Sequence, residues 1–196
     1  MNITTHQSDR AHLPPCKRVS GFTMIEMITT MSIVAILLSI GVPSFRYITN
    51  ADRASSEING LLGDLQFARA QAIKSGQPVS VCSTADQLNC ANSTTWTTGW
   101  LVFSDTGVPG SVGAGAILRV QKSILPGGDT LQADNTIKII TFNRDGFAGS
   151  LPGPVTLTLH DSTSNPSYTR CLSLSIVGAM ATQVSGVKTA ENVACT

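Results

Sequence analysis

Hydrophobic and polar positions along the chain fall into three successive regimes. From Phe22 to Val42 the residues are apolar or small, with Glu26 as the only charge. About 20 such residues, rising ~1.5 Å each, cover the roughly 30 Å hydrocarbon core of a bilayer, so a membrane-length helix is predicted over 22–45. From 46 to 76 the period becomes helical and amphipathic. Ile58, Leu61, Leu65, Ala68 and Ala72 recur three and four apart, while Asp52, Arg53, Glu57, Asp64, Arg69 and Lys74 fall largely off that stripe. The helix is predicted to stop at Ser75-Gly76-Gln77-Pro78, because Gly suits a left-handed cap and Pro cannot continue a helix. Gly60 and Gly63 each weaken helix propensity by about 1 kcal/mol relative to Ala, so this half depends on packing.

Beyond Pro78 the period shortens to two, or to brief apolar runs. Predicted strands are Val79–Cys82, Trp100–Phe103, Ala116–Lys122, Thr136–Phe142, Val155–His160 and Arg170–Ile176. They are separated by "SDTGVPGSVGAG", "LPGGD", "NRDGFAGSLPGP" and "DSTSNPS", all rich in turn formers. Short strands at such intervals predict an α+β fold in which an antiparallel sheet or sandwich, residues 77–196, is closed on one side by the amphipathic helix. Trp96 and Trp100 flank one strand and are expected in core or rim packing.

Charge adds direction to this picture. The chain carries a formal net charge of +1, and Arg10, Lys17 and Arg18 against Asp9 put +2 into residues 1–21, so the remainder carries 1 − 2 = −1. That remainder lacks the basic cluster of a dedicated nucleic-acid binder. Lys17 and Arg18 directly precede the apolar run, so the positive-inside rule leaves the N-terminus cytoplasmic and sends the rest outward. Of the five cysteines, Cys16 precedes the run, and Cys82, Cys90, Cys171 and Cys195 follow it. An even number beyond a membrane segment suggests disulfides in an oxidising compartment. Of the three possible pairings, Cys82–Cys90 with Cys171–Cys195 is preferred because each closes a local loop. No C-x-x-C spacing supports zinc, and His160 is the only histidine after residue 21.

Catalytic chemistry finds no foothold. G-x-S-x-G, H-E-x-x-H, P-loop and G-x-G-x-x-G patterns are absent, and a triad could be built only around His160. Asp105, Asp129, Asp134, Asp145 and Asp161 lie in turn-like sequence, which accounts for them, and no D-x-[DN]-x-[DN]-G calcium loop occurs. The chain is therefore expected to be no enzyme and to need no cofactor or metal.

Glu26 remains unexplained by these arguments. Inserting an acid near the bilayer centre is unfavourable by roughly 2.5–3.5 kcal/mol, less toward the interface. A secretory signal would have a shorter apolar region, although Ser39-Ile40-Gly41 has the form of a cleavage site. A core helix would not need flanking bases, and a plain anchor gains nothing from the acid. The string Lys17-Arg18-Val19-Ser20-Gly21-Phe22-Thr23-Met24-Ile25-Glu26 resembles the processing site of type IV prepilins: a basic leader ending in Gly, a cut before Phe, and Glu fifth in the mature chain. The resemblance implies a leader over 1–21, removed by prepilin peptidase between Gly21 and Phe22 together with Cys16. It also implies N-methylation of Phe22 and retention of helix 22–45. Glu26 would then meet the terminal amine of a neighbouring subunit, a buried polar pair that sets register more than stability. Pro43, residue 43 − 21 = 22 after the cut, matches a position where pilin helices carry proline and bend.

Further blocks, "ARAQAIKSGQPVSVC", "WTTGWLVFSDTG", "ITFNRDGF" and "CLSLSIVG", resemble the GspH/FimT family of minor pilins and minor pseudopilins. This implies a non-enzymatic subunit in the bacterial inner membrane, crossing once with its C-terminal domain periplasmic, then assembled with other pilins into a type IV pilus that serves functions such as twitching motility. The alternative within the family is a minor pseudopilin of type II secretion. Relatives in DNA uptake carry Gly-Arg-x-Arg where this chain has Gly178-Ala179-Met180-Ala181, so nucleic acid is not an expected partner. Outside the family, the competing reading is a periplasmic domain held by an uncleaved anchor or released at Gly41.

Overall fold

A computed structural model describes residues 21–105, 112–113, 117–122, 128–134, 137–188 and 195. The proposed leader with Cys16, Lys17 and Arg18, and the first residues of two predicted strands, Ala116 and Thr136, lie outside the described residues. The chain divides into two units, one ending at Ser44 and one beginning at Phe45.

Helix α1, Met24–Ser75, opens at Thr23, whose hydroxyl accepts from the Glu26 amide at 3.3 Å while its carbonyl accepts from the Met27 amide at 3.2 Å. The side chain thereby satisfies one of the free amides of the first turn. The helix ends as its residues dictate: Gly76 takes φ +67° and donates its amide to the Ala72 carbonyl at 3.0 Å, and Pro78 follows. Within the second unit α1 buries Ala54, Glu57, Ile58, Leu61, Leu65, Ala68 and Ala72. Burying a Leu or Ile contributes roughly 1.5–3 kcal/mol, which outweighs the two helix glycines.

The strands are β1 Val79–Ser83, β2 Gly99–Ser104, β3 Ile117–Lys122, β4 Thr130–Ala133, β5 Ile139–Phe142, β6 Val155–His160, β7 Arg170–Leu174 and β8 Met180–Val184. They form two antiparallel four-stranded sheets, in the orders β3-β2-β1-β5 and β4-β6-β7-β8. An isolated antiparallel bridge, Thr95 to Gln132, joins the segment before β2 to β4. One apolar core contains the α1 stripe, Val79, Val81, Trp100, Val102 and Ile140 from the first sheet, and Leu131, Leu157, Leu159, Leu172 and Leu174 from the second. A smaller cluster of Cys82, Leu101 and Phe103 covers the opposite face of the first sheet. β1 is buried throughout and β2 at all but its last residue, so neither shows the buried-exposed alternation of a sheet covered on one face.

Two strands depart from the expected set. β4 follows the turn-rich string "LPGGD" and β8 follows the last predicted strand, and the sequence predicts no strand at either place. β4 is four residues long, and β8 is an edge strand with the composition Met-Ala-Thr-Gln-Val, so neither carries a strong strand signal. The strand predicted to reach Ile176 stops at Leu174, because Ser175 donates to the Ala179 carbonyl at 2.9 Å and closes a turn into β8. β5 starts at Ile139, because the Ile137 amide turns back to the Asp134 carbonyl at 2.9 Å.

Candidate functional site

In the first unit every side chain from Gly21 onward is exposed, including Phe22 at 77%. An 18-residue window of α1 has a mean hydropathy of 2.1, long and apolar enough to cross a membrane. Its hydroxyls do not spoil that surface. Thr29, Thr30, Ser32 and Ser39 donate to the carbonyls of Glu26, Met27, Ile28 and Ile36 at 3.0, 3.0, 2.8 and 2.7 Å. Such back-bonding consumes donors that lipid could not satisfy. Glu26 is different: among the described residues its carboxylate has neither a hydrogen bond nor an ion pair, and it stands in the first turn of α1. The acid favours the positive helix end, and together with Thr23 it forms the T-x-x-E spacing of a capping box, a local signal that the sequence reading passed over. Gly21 and Phe22 precede the helix, and Pro43 lies inside it.

The second unit places the polar residues of α1 against the sheets. Asp64 accepts from the indole Nε1 of Trp100 at 2.9 Å and from Arg119 of β3 at 3.0 Å, and the Arg119 guanidinium lies 3.7 Å from the centre of the Phe67 ring. Arg69 donates to the carbonyls of Gly178 and Val177 at 2.8 and 3.3 Å. Arg170 donates to the Ser55 hydroxyl at 3.1 Å and to the carbonyls of Ser167 and Thr169 at 2.9 and 3.0 Å. The expectation that the α1 charges lie off the packed face is therefore corrected. Two sheets surround a wider arc of the helix than the apolar stripe alone marks. Trp96 and Trp100 are buried, as core packing requires.

The largest departure is Glu57, only 9% exposed. Its Oε1 is 3.9 Å from Arg53 Nε, beyond hydrogen-bond reach, and Oε2 has no partner. Arg53 instead binds Asp129 at 2.6 Å, and the other Asp129 oxygen accepts from the Ser162 amide at 2.9 Å. Burial, with the negative Asp129 nearby, pushes the Glu57 carboxyl up to about 7 against the opposing pull of Arg53. Asp161 is held below the usual carboxylate range: burial works against ionisation, but hydrogen bonds from Thr163 and Asn165 outweigh it. Turn formation thus accounts for Asp161 but not for Asp129, nor for Asp105, which is buried and accepts from Ser80 Oγ at 2.8 Å.

Cys82 is bonded to Cys90 and Cys171 to Cys195. In the first loop Asp86 accepts from the Asn89 side chain and from the amides of Leu88 and Asn89, which holds its carboxyl well below the ordinary range. His160 closes β6 with its Nδ1 3.3 Å from Thr169 Oγ1. Among the described residues no group of three or more His, Cys, Asp or Glu is arranged to hold a metal. Gly178-Ala179-Met180-Ala181 spans the β7–β8 turn and the start of β8, and Arg170 is engaged as above.

The comparisons agree with this division of the chain. Residues 57–178 match the family model described as type II transport protein GspH. Residues 16–42 match the prokaryotic N-terminal methylation motif. No match was found among curated proteins. The crystal structure of the type IV minor pilin FimU of Pseudomonas aeruginosa strain PAO1 is similar in fold, with a TM-score of 0.53 at 21% identity, covering 71% of this chain and 92% of that one. The minor pseudopilin EpsH of Vibrio cholerae shows a TM-score of 0.48 at 15% identity, over 69% of this chain and 99% of that one, too distant to argue from.

Proposed function

The chain belongs to the GspH family of minor pilins and pseudopilins, and from that premise we propose that it is a non-enzymatic minor subunit of a type IV pilus. It is inserted in the inner membrane with its second unit periplasmic, cut between Gly21 and Phe22, methylated on Phe22 and assembled with other pilins through the apolar half of α1. The observation that carries this reading is Glu26. On this exposed apolar helix surface the hydroxyls of Thr29, Thr30, Ser32 and Ser39 are satisfied internally, and one carboxylate is left without a partner among the described residues. A methylated, still cationic amine of an adjacent subunit would complete it and set the axial register.

Intact-mass analysis of the native protein tests the processing. A chain beginning with N-methyl-Phe22 is expected; one beginning at Val42 indicates ordinary secretion, and an intact Met1 an uncleaved anchor. Changing Glu26 to Ala is expected to leave a folded, membrane-inserted protein that does not enter filaments.

The family description as a type II transport protein supports a second reading, a minor pseudopilin. Deletion separates the two: loss of twitching motility supports the pilus, and loss of exoprotein export the secretion system.

A further inference from the structure

We propose that Arg53, Glu57 and Asp129 form a proton-operated latch that fastens α1 to the β4–β6 edge of the second sheet, held shut when Glu57 is neutral and loosened when it ionises. The inference does not depend on which filament the chain enters.

Its basis is a mismatch of charge and hydrogen-bond capacity. Arg53 is the cation that contacts the cluster, and it faces Glu57 from the same helix, Asp129 from the segment before β4, and Asp161 from the segment after β6. Asp129 takes the short contact with Arg53 and an amide from Ser162. Asp161 is occupied by Thr163 and Asn165. His160, beside Asp161, bonds Thr169, and Arg170 of β7 is bound to Ser55, Ser167 and Thr169. None of these supplies Glu57 with a hydrogen bond, and its Oε2 is buried without one. A buried carboxylate without donors favours its neutral form.

The sign follows. The folded-state value near 7 lies above the ordinary 4.5, so the contribution to stability is complete below about pH 4.5 and disappears as pH rises through 7. If the opened latch returns Glu57 to its ordinary value, linkage makes the opening equilibrium about tenfold more favourable at pH 8 than at pH 6.

Hydrogen exchange of the full chain in detergent micelles, corrected for intrinsic pH effects, reads this locally. Peptides covering 53–61 and 128–134 are expected to lose about tenfold protection between pH 6 and pH 8, relative to the β2 peptide 99–104. Glu57→Gln, which keeps the shape and removes the titration, should abolish that excess. Asp129→Asn removes a negative neighbour and frees Arg53 for Glu57, so it should move the transition to lower pH. A wild-type profile parallel to the β2 peptide overturns the proposal. So does an unchanged transition in Glu57→Gln or, should that variant fail to fold, an Asp129→Asn transition at or above the wild-type pH.

Discussion

Replacing Gly178 by alanine would test how the β7–β8 turn is fastened to α1. Gly178 has φ +77°, and a Cβ built on it would run into the Gly146 carbonyl oxygen and lie 3.0 Å from Arg69 Nε and 3.1 Å from Arg69 Cζ. The first contact falls well inside a C···O approach of roughly 3.3 Å, and the atom on its other side is backbone. Left-handed backbone alone costs an L-residue about 1–2 kcal/mol. Displacing Arg69 also weakens its bonds to the Gly178 and Val177 carbonyls, and a hydrogen bond to a charged group contributes about 1.5–3 kcal/mol. The sum is a destabilisation of about 3 kcal/mol or more. For a domain of this size that lowers Tm by roughly 6–12 °C. Thermal unfolding of the oxidised full chain in detergent, followed through the buried Trp96 and Trp100, is the assay. Gly60→Ala is the control: its Cβ meets nothing within 4 Å on an exposed helix position, so it should stabilise by about 0.5–1 kcal/mol. A Gly178→Ala protein that melts with the wild type refutes the clamp.

Trp100→Phe removes a donor from Asp64 and should lose about 2 kcal/mol beyond the equivalent Trp96→Phe, whose indole NH has no partner; equal losses in denaturant titrations would contradict this. Cys171 and Cys195 are 24 residues apart, and opening their disulfide by Cys195→Ser should cost about 3.5 kcal/mol by loop entropy, against about 2.6 kcal/mol for Cys90→Ser, where the separation is 8. Non-reducing denaturation curves give both values, and the reverse order argues against the entropic account. Glu57→Gln should also flatten the global stability curve between pH 5 and pH 8, where the wild type becomes less stable as pH rises, with a full amplitude of about 3 kcal/mol; parallel curves exclude Glu57 as the titrating group. Glu26→Ala should leave this unfolding unchanged while abolishing filament entry, measured by immunoblotting of sheared fibres; normal incorporation defeats the register role.

Signals within a few residues of one another determined much of this protein. The apolar run, the Gly21-Phe22 junction and the spacing to Glu26 all lie in one short stretch, and the 3.6-residue period identified every buried apolar residue of α1 except Ala54. Gly76 and Pro78 marked the helix end, and paired short loops suggested both disulfides, because capping and loop closure are local properties of the chain. Tertiary structure decided what depends on distant partners. Arg53 meets Asp129 across 76 positions, Arg69 meets Gly178 across 109, and Arg170 meets Ser55 across 115. β8 exists because β7 offers it a ladder, although its own composition barely favours a strand. Glu57 shows the same limit: a glutamate at the margin of a helical stripe reads as solvated, and only a second sheet packed over that margin buries it and raises its affinity for a proton.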